Sequence, residues 1–256
     1  MKETKASGQE TLIWGIRPLI EAFLAGKEID RVYLQKGLKS NVFGELWPHL
    51  KESKVPFTYV PSFKLDKMAP SRNHQGVVAQ ISPVRFQPLD EVVQITFEKG
   101  ETPLLLILDR ITDVRNFGAI IRTAECAGVH GIIFPDKQSS PVSGDAAKTS
   151  AGALMRMPLV RTHSLVNAIE YLQQSGFQVI AATEKTDDSL YSLDLKVPTA
   201  IVMGSEEDGV SPGILKRVDG RARIPLMGDI GSLNVSVAAG ILLYEVIRQR
   251  TQKQDV

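Results

Sequence analysis

The sequence predicts an α/β protein: a parallel sheet with covering helices over residues 103–256, preceded by a smaller α/β module. Three observations carry this. Short aliphatic or β-branched runs alternate with stretches of helical periodicity along the chain, the order that lays strands side by side with helices between them. Leu104–Leu108 is an unbroken apolar run, as a strand buried on both faces of a parallel sheet requires. A break containing Pro83, Pro88, Gly100 and Pro103 separates the two series.

In the first series, residues 17–25 (RPLIEAFLA) carry apolar side chains at helical spacing and stop before Gly26, a helix terminator. Arg31–Leu34 reads as a strand and 41–53 as a helix. Phe57–Val60 and Gly76–Ile81 complete the strands. The break predicts an extended linker with room for a helical turn or two in LDEVVQI, so the expected division is 1–84, a linker over 85–102, and 103–256. In the second series, strand 104–108 precedes a helix over about 118–127, closed by Gly128. Strand 131–134, helix 165–174 and strands 177–182, 199–203 and 222–225 follow, before a last helix over about 235–250.

Composition bounds the function. A chain of 256 residues with 43% hydrophobic and 23% charged residues is globular, not disordered. The single cysteine, Cys126, excludes a disulfide framework and is expected as a buried filler on its helix. No apolar run approaches the roughly 20 residues of a membrane helix. MKETKASGQETLIWG lacks the apolar stretch of a signal peptide. A soluble cytoplasmic protein without a membrane partner is expected. Residues 1–84 hold 12 Lys and Arg against 8 Asp and Glu, and the remainder 18 against 21. A basic first module suits a polyanion, or is simply a solvated surface.

Several chemistries lack their motifs. No G-x-G-x-x-G follows a strand, Gly26-Lys27 lacks the rest of a Walker A loop, and the four histidines are scattered without zinc spacing. Three clusters remain, each after a predicted strand, where open α/β sheets hold ligands. In the first, DVRNFGAIIRTAE (113–125), Asn116 and Gly118 suit a tight helix entry, and Arg122 sits about one turn in. Arg122 is either a phosphate clamp near a helix N-terminus or a surface partner of Glu125. The second, MGSEEDGVS (203–211), sets acids between two glycines: a loop close to a ligand, or a solvated acidic turn. The third, IPLMGDIGSLNVS (224–236), offers Ser232 or Asn234 as the N-cap of the last helix or as site residues.

Together, in this order and spacing, NFGAIIRTAECAG, IVMGSEEDGVS and IPLMGDIGSLNVSVAAGILLYE resemble the three signature motifs of the SpoU/TrmH family of RNA ribose 2′-O-methyltransferases, the SPOUT fold. WGIRPLIEAFLAG and NHQGVVAQI resemble the substrate-binding module of the bacterial 23S rRNA guanosine 2′-O-methyltransferases of that family. The resemblance implies a parallel sheet whose C-terminal segment threads a trefoil knot, a homodimer, a ribosomal-protein-like RNA-binding N-terminal module, and S-adenosylmethionine as methyl donor with no metal. It implies catalytic roles for Asn116, Arg122, Glu206, Ser232 and Asn234, and donor contacts at the backbone of Gly204, Ile224 and Leu233. On that pattern Arg122 fixes a phosphate and stabilises the ionising hydroxyl, while Glu206 ties loops together. The implied substrate is a guanosine of 23S rRNA. The rivals are a tRNA ribose methyltransferase of the same family and an RNA-binding ribosome assembly factor without turnover.

Overall fold

The computed structural model describes residues 12–38, 41–70 and 72–251. The ends of the two predicted domains, 1–11 and 252–256, lie outside the described residues. The chain divides into two compact units, one running to Arg85 and taking in Pro141–Asp145, the other formed by Phe86–Ser140 and Ala146 onward.

The first unit runs β1 (Leu12–Trp14), α1 (Ile16–Leu24), β2 (Ile29–Gln35), α2 (Asn41–Glu52), β3 (Phe57–Val60), α3 (Ser62–Met68) and β4 (Val77–Ile81). Its sheet order is β1-β4-β2-β3, with β2 parallel to β3 and β4 antiparallel to both β1 and β2. Period-two alternation sorts the strand residues. Val32, Leu34, Val77 and Ala79 join Leu19 and Leu46 in one core, whereas Val78 and Val60 meet Leu65 of α3 in another.

The second unit runs α4 (Leu89–Glu98), β5 (Leu104–Leu108), α5 (Val114–Cys126), β6 (Gly131–Pro135), most of α6 (Gly144–Thr149, whose first two residues fall in the first unit), β7 (Leu159–Thr162), α7 (Leu165–Gln174), β8 (Gln178–Ala182), β9 (Thr199–Met203), α8 (Pro212–Leu215), β10 (Gly220–Ala222) and α9 (Val235–Thr251). Its six strands are all parallel in the order β10-β8-β9-β5-β6-β7. Every residue of β5 and β9 is buried, which explains their unbroken apolar sequences. From β5 the chain adds β6 and β7 on one side, then crosses to build β8, β9 and β10 on the other. The order reverses between β5 and β9, whose carboxyl ends lie abreast with Leu108 opposite Met203. Open α/β sheets place ligands at such a point. At the opposite end of the sheet, Arg250 of α9 donates to the carbonyls of Thr102, Pro103, Leu195 and Val197, pinning the last helix beside the starts of β5 and β9.

Several expectations are corrected. Within 85–102 the turn or two allowed for LDEVVQI is a longer helix, α4, of 10 residues. Pro88 opens α4, where no N–H donor is needed, and Val92 and Val93 are buried with Leu105 and Ile133 in the second unit's core. Helix α5 starts four residues before Gly118, because the Asp113 carboxylate accepts the N–H groups of Arg115 and Asn116 at 2.8 and 2.9 Å and caps it there. Arg122 therefore lies about two turns in, beyond the helix N-terminus. Cys126 is exposed, since the buried stripe of α5 is Phe117, Ile120, Ile121 and Ala124. The last strand ends at Ala222, not Pro225. It pairs where Gly220 leaves room for Ile180 Cδ1, which an added Cβ would meet at 2.8 Å. None of the described helices is long and apolar enough to cross a membrane.

Candidate active site

The reversal point of the sheet gathers the three sequence clusters. Gly204 follows β9 directly, and a Cβ there would sit 2.1 Å from Gly209 C and Val210 N. Glycine lets the next turn fold back on the strand end. Ser205 and Gly209 then exchange backbone hydrogen bonds at 3.2 and 3.0 Å, and the Ser205 hydroxyl accepts the N–H of Asp208 at 3.2 Å. This closed turn presents Glu206.

Glu206 Oε1 accepts two amide donors, Asn116 Nδ2 at 2.5 Å and Asn234 Nδ2 at 3.0 Å. Asn234 Nδ2 also reaches Asn116 Oδ1 at 3.1 Å, closing the triangle. Asn116 can serve because Asp113 already satisfies its backbone N–H. Asn234 does two jobs. Its Oδ1 caps α9, accepting from Ser236 N at 2.9 Å and Ser236 Oγ at 2.6 Å, while its Nδ2 faces the other cluster. Asn234 is therefore the N-cap of α9 and at the same time meets Asn116 and Glu206.

Two cavities flank this triangle and share the wall formed by Ser205–Asp208 and Val235. The first, about 290 Å³, lies over the ends of β8, β9 and β10 and is lined by Thr183, Gly204, Ile224, Leu226, Ser232 and Leu233 among others. The second, about 270 Å³, opens beyond β5, where Arg110, Thr112, Asp113, Asn116 and Gln138 line it. Residues 224–233 run along the first cavity without any hydrogen bond to the described residues, and 225–234 are all exposed.

Six of the eight residues singled out in the sequence thus meet at the first cavity or its shared wall: Gly204, Glu206, Ile224, Ser232, Leu233 and, through Glu206, Asn234. Asn116 lines the second cavity. Arg122 alone stands apart. It is exposed, lines neither cavity and does not pair with Glu125, whose ion-pair partner is Arg156 at 3.7 Å. The sequence reading missed Arg110, which donates from Nη1 to Asp208 at 2.8 Å and from Nη2 to the Gly209 carbonyl at 2.9 Å. Its only local signal is its place beside the apolar run of β5. Among the described residues, no three His, Cys, Asp or Glu side chains are grouped as a metal site would need.

Comparison with known proteins accords with this arrangement. Residues 103–244 match the SpoU rRNA Methylase family, and residues 12–87 match the family described as RNA 2′-O ribose methyltransferase substrate binding. A Staphylococcus haemolyticus protein whose name places it among TrmH family tRNA/rRNA methyltransferases is 34% identical over 247 residues, 96% of this chain and 99% of that one. The structure of an AdoMet-bound rRNA methyltransferase from Sinorhizobium meliloti superposes with a TM-score of 0.60 and 26% identity, covering 94% of this chain and 88% of the other. That of a TrmH/SpoU tRNA modifying enzyme from A. aeolicus gives 0.54 and 29%, covering 63% of this chain and 84% of the other. The chain belongs to the SpoU rRNA methylase family and is an RNA methyltransferase.

Proposed function

We propose that this protein methylates the ribose 2′-hydroxyl of a guanosine in 23S rRNA, with S-adenosylmethionine as donor, and that it works as a homodimer with a knotted C-terminal domain. The observation that carries this reading is the pair of cavities sharing one wall, with the Asn116–Glu206–Asn234 triangle in it: a layout for two substrates that react across a boundary. The first cavity fits the donor. Gly204 brings bare backbone to its edge, Leu226 and Leu233 offer apolar surface, and the unpaired backbone of 224–233 supplies donors and acceptors for a polar ligand. When bound, S-adenosylmethionine supplies a methyl group on a positively charged sulfur, open to attack in line with the departing bond.

The chain's own residues then act by positioning, which contributes on the order of 7–11 kcal/mol in the best-oriented reactions. Glu206, with both amides on one oxygen, holds the turn after β9 against α5 and the start of α9. Asn116 orients the ribose from the second cavity, and Ser232 and Asn234 shape the boundary. Arg122 binds the neighbouring phosphate and stabilises charge developing on the hydroxyl oxygen. Because it lines neither cavity of its own chain, it does so in the site of a second copy. Met227 and Ile230, 98% and 80% exposed, and the exposed Val237 and Tyr244 of α9 are the apolar side chains we assign to contact with the second copy.

Support for rRNA comes from the first unit. It matches a substrate-binding family, and the rRNA methyltransferase structure covers nearly the whole chain where the tRNA enzyme covers under two thirds. The S. haemolyticus relative's name spans both RNAs and keeps tRNA as the second reading. The test is transfer of labelled methyl from S-adenosylmethionine to unmodified 23S rRNA and, separately, to unmodified tRNA, with the product nucleoside mapped. Expected is 2′-O-methylguanosine in 23S rRNA. Label in tRNA alone overturns the substrate. No label in either RNA, with RNA bound, favours an assembly factor. Arg122→Ala is expected to keep RNA binding and lose methylation.

A further inference from the structure

We infer that Arg110 is a positioning residue for methyl transfer: it staples the turn that carries Glu206 to the end of β5. The inference rests on the methyltransferase reading above and adds a residue that reading does not contain.

Arg110 has φ of 61°, the left-handed region that residues bearing a Cβ rarely adopt. Such conformations persist where surrounding contacts over-determine them, and they concentrate at functional sites. Here the contacts come from the side chain. The guanidinium reaches a segment 98 residues away, donating from Nη1 to Asp208 Oδ2 at 2.8 Å and from Nη2 to the Gly209 carbonyl at 2.9 Å, with Nε 3.4 Å from Asp109 Oδ1. Asp109, buried, accepts the N–H of Ser211 through its other oxygen at 2.7 Å. Two consecutive residues after β5 thus hold the turn after β9 at Asp208, Gly209 and Ser211.

The turn transmits that restraint. Ser205 and Gly209 are bonded to each other at both backbone positions, so fixing Gly209 fixes the short arc that contains Glu206. Glu206 in turn receives both site asparagines. An exposed ion pair alone would contribute little, and the Asp208 side chain is 69% exposed. The planar fork that also grips a backbone carbonyl sets direction as well as distance, which a lysine ammonium cannot.

The test compares Arg110→Gly, Arg110→Lys and the wild-type protein. Glycine suits the left-handed backbone, so Arg110→Gly removes the fork while relieving strain. Its melting temperature is expected at or above wild type, with kcat lower by on the order of 10- to 100-fold and KM for S-adenosylmethionine little changed. Arg110→Lys is expected to fall between. Amide exchange in the unliganded protein is expected to accelerate at Asp208 and Gly209 and to stay unchanged in β5 and β9. Unchanged exchange at Asp208 and Gly209 overturns the staple. Faster exchange with wild-type kcat, or a loss of kcat that follows a loss of melting temperature, overturns the positioning role. The exchange readout needs no RNA, so an inactive wild-type protein would count against the methyltransferase reading while the staple is still decided by exchange.

Discussion

Two loops meet at the wall between the cavities, and they are held in opposite ways. The turn after β9, 204–211, is fastened along its length: Ser205 to Gly209, Glu206 to Asn116 and Asn234, Asp208 and Gly209 to Arg110, Ser211 to Asp109. The segment after β10, residues 224–233, makes no hydrogen bond among the described residues and leaves Met227 and Ile230 in solvent. The difference separates two tasks. Groups that must be aimed before substrate arrives are fixed by the chain itself. On the proposed reading, the backbone assigned to the donor and the apolar side chains assigned to a second copy are the ones left unpaired.

The same substitution in each loop sharpens the contrast. Gly204→Ala forces a Cβ into backbone 2.1 Å away, whereas Gly228→Ala meets nothing within 4 Å. Gly204→Ala is expected to lose about 1–3 kcal/mol of stability and on the order of 100-fold in kcat. Gly228→Ala is expected to stay within about 0.5 kcal/mol of wild type. Denaturant melts and single-turnover methylation measure both, and equal effects would break the contrast.

Glu206 links the two loops, because Asn234 ends the open one. Glu206→Ala is expected to lower kcat by about 10- to 100-fold while the fold persists. Glu206→Gln, which keeps an oxygen acceptor, is expected to retain part of that activity. Full activity in Glu206→Ala would remove the triangle from the mechanism.

Ile230→Asp addresses the open loop's second task. If a second copy covers this face, the dimer dissociation constant by analytical ultracentrifugation rises at least about tenfold, equivalent to 1.4 kcal/mol, and an unchanged value leaves the exposed side chains without that partner.

The smallest effect lies away from both loops and serves as a control. In α9, buried Glu245 receives hydrogen bonds from Arg248, at 2.7 Å to each oxygen, and from Gln249 at 2.8 Å. The Arg248 hydrogen bonds hold its pKa below the ordinary 4.5. With the folded pKa depressed, the carboxylate's contribution to stability is complete above the ordinary value and is lost as pH falls through the folded one. Glu245→Gln is expected to flatten the fall of melting temperature below pH 4.5 without touching kcat at neutral pH. An unchanged acid slope would contradict the assignment.

The sequence showed most clearly what burial dictates. The runs 104–108 and 199–203 are readable because both faces of those strands are covered, and the alternation they begin gives the parallel sheet. Elements whose cause is not local were missed. Three-residue β1 carries no period to detect. LVRT of β7 mixes an arginine into a short strand. Helix α4 was legible only as a turn or two in LDEVVQI, because its full length depends on burial against a core formed elsewhere. Within the site, Asn116 and Glu206 lie 90 residues apart, and Asn116 and Asn234 118. No local pattern announces such contacts, and the motifs' joint resemblance to a family is what singled these residues out. Arg110 had neither help, since its conformation and its partners exist only in the folded chain.

Amide hydrogen exchange with and without S-adenosylmethionine, in wild-type protein, tests the division between the two loops most directly. Amides of 224–233 are expected to exchange quickly alone and to become protected when the donor binds, while Ser205, Asp208, Gly209 and Ser211 are protected in both states. Protection already present at 224–233 without donor, or gained at 205–211 instead, would contradict a fixed turn beside a receiving segment.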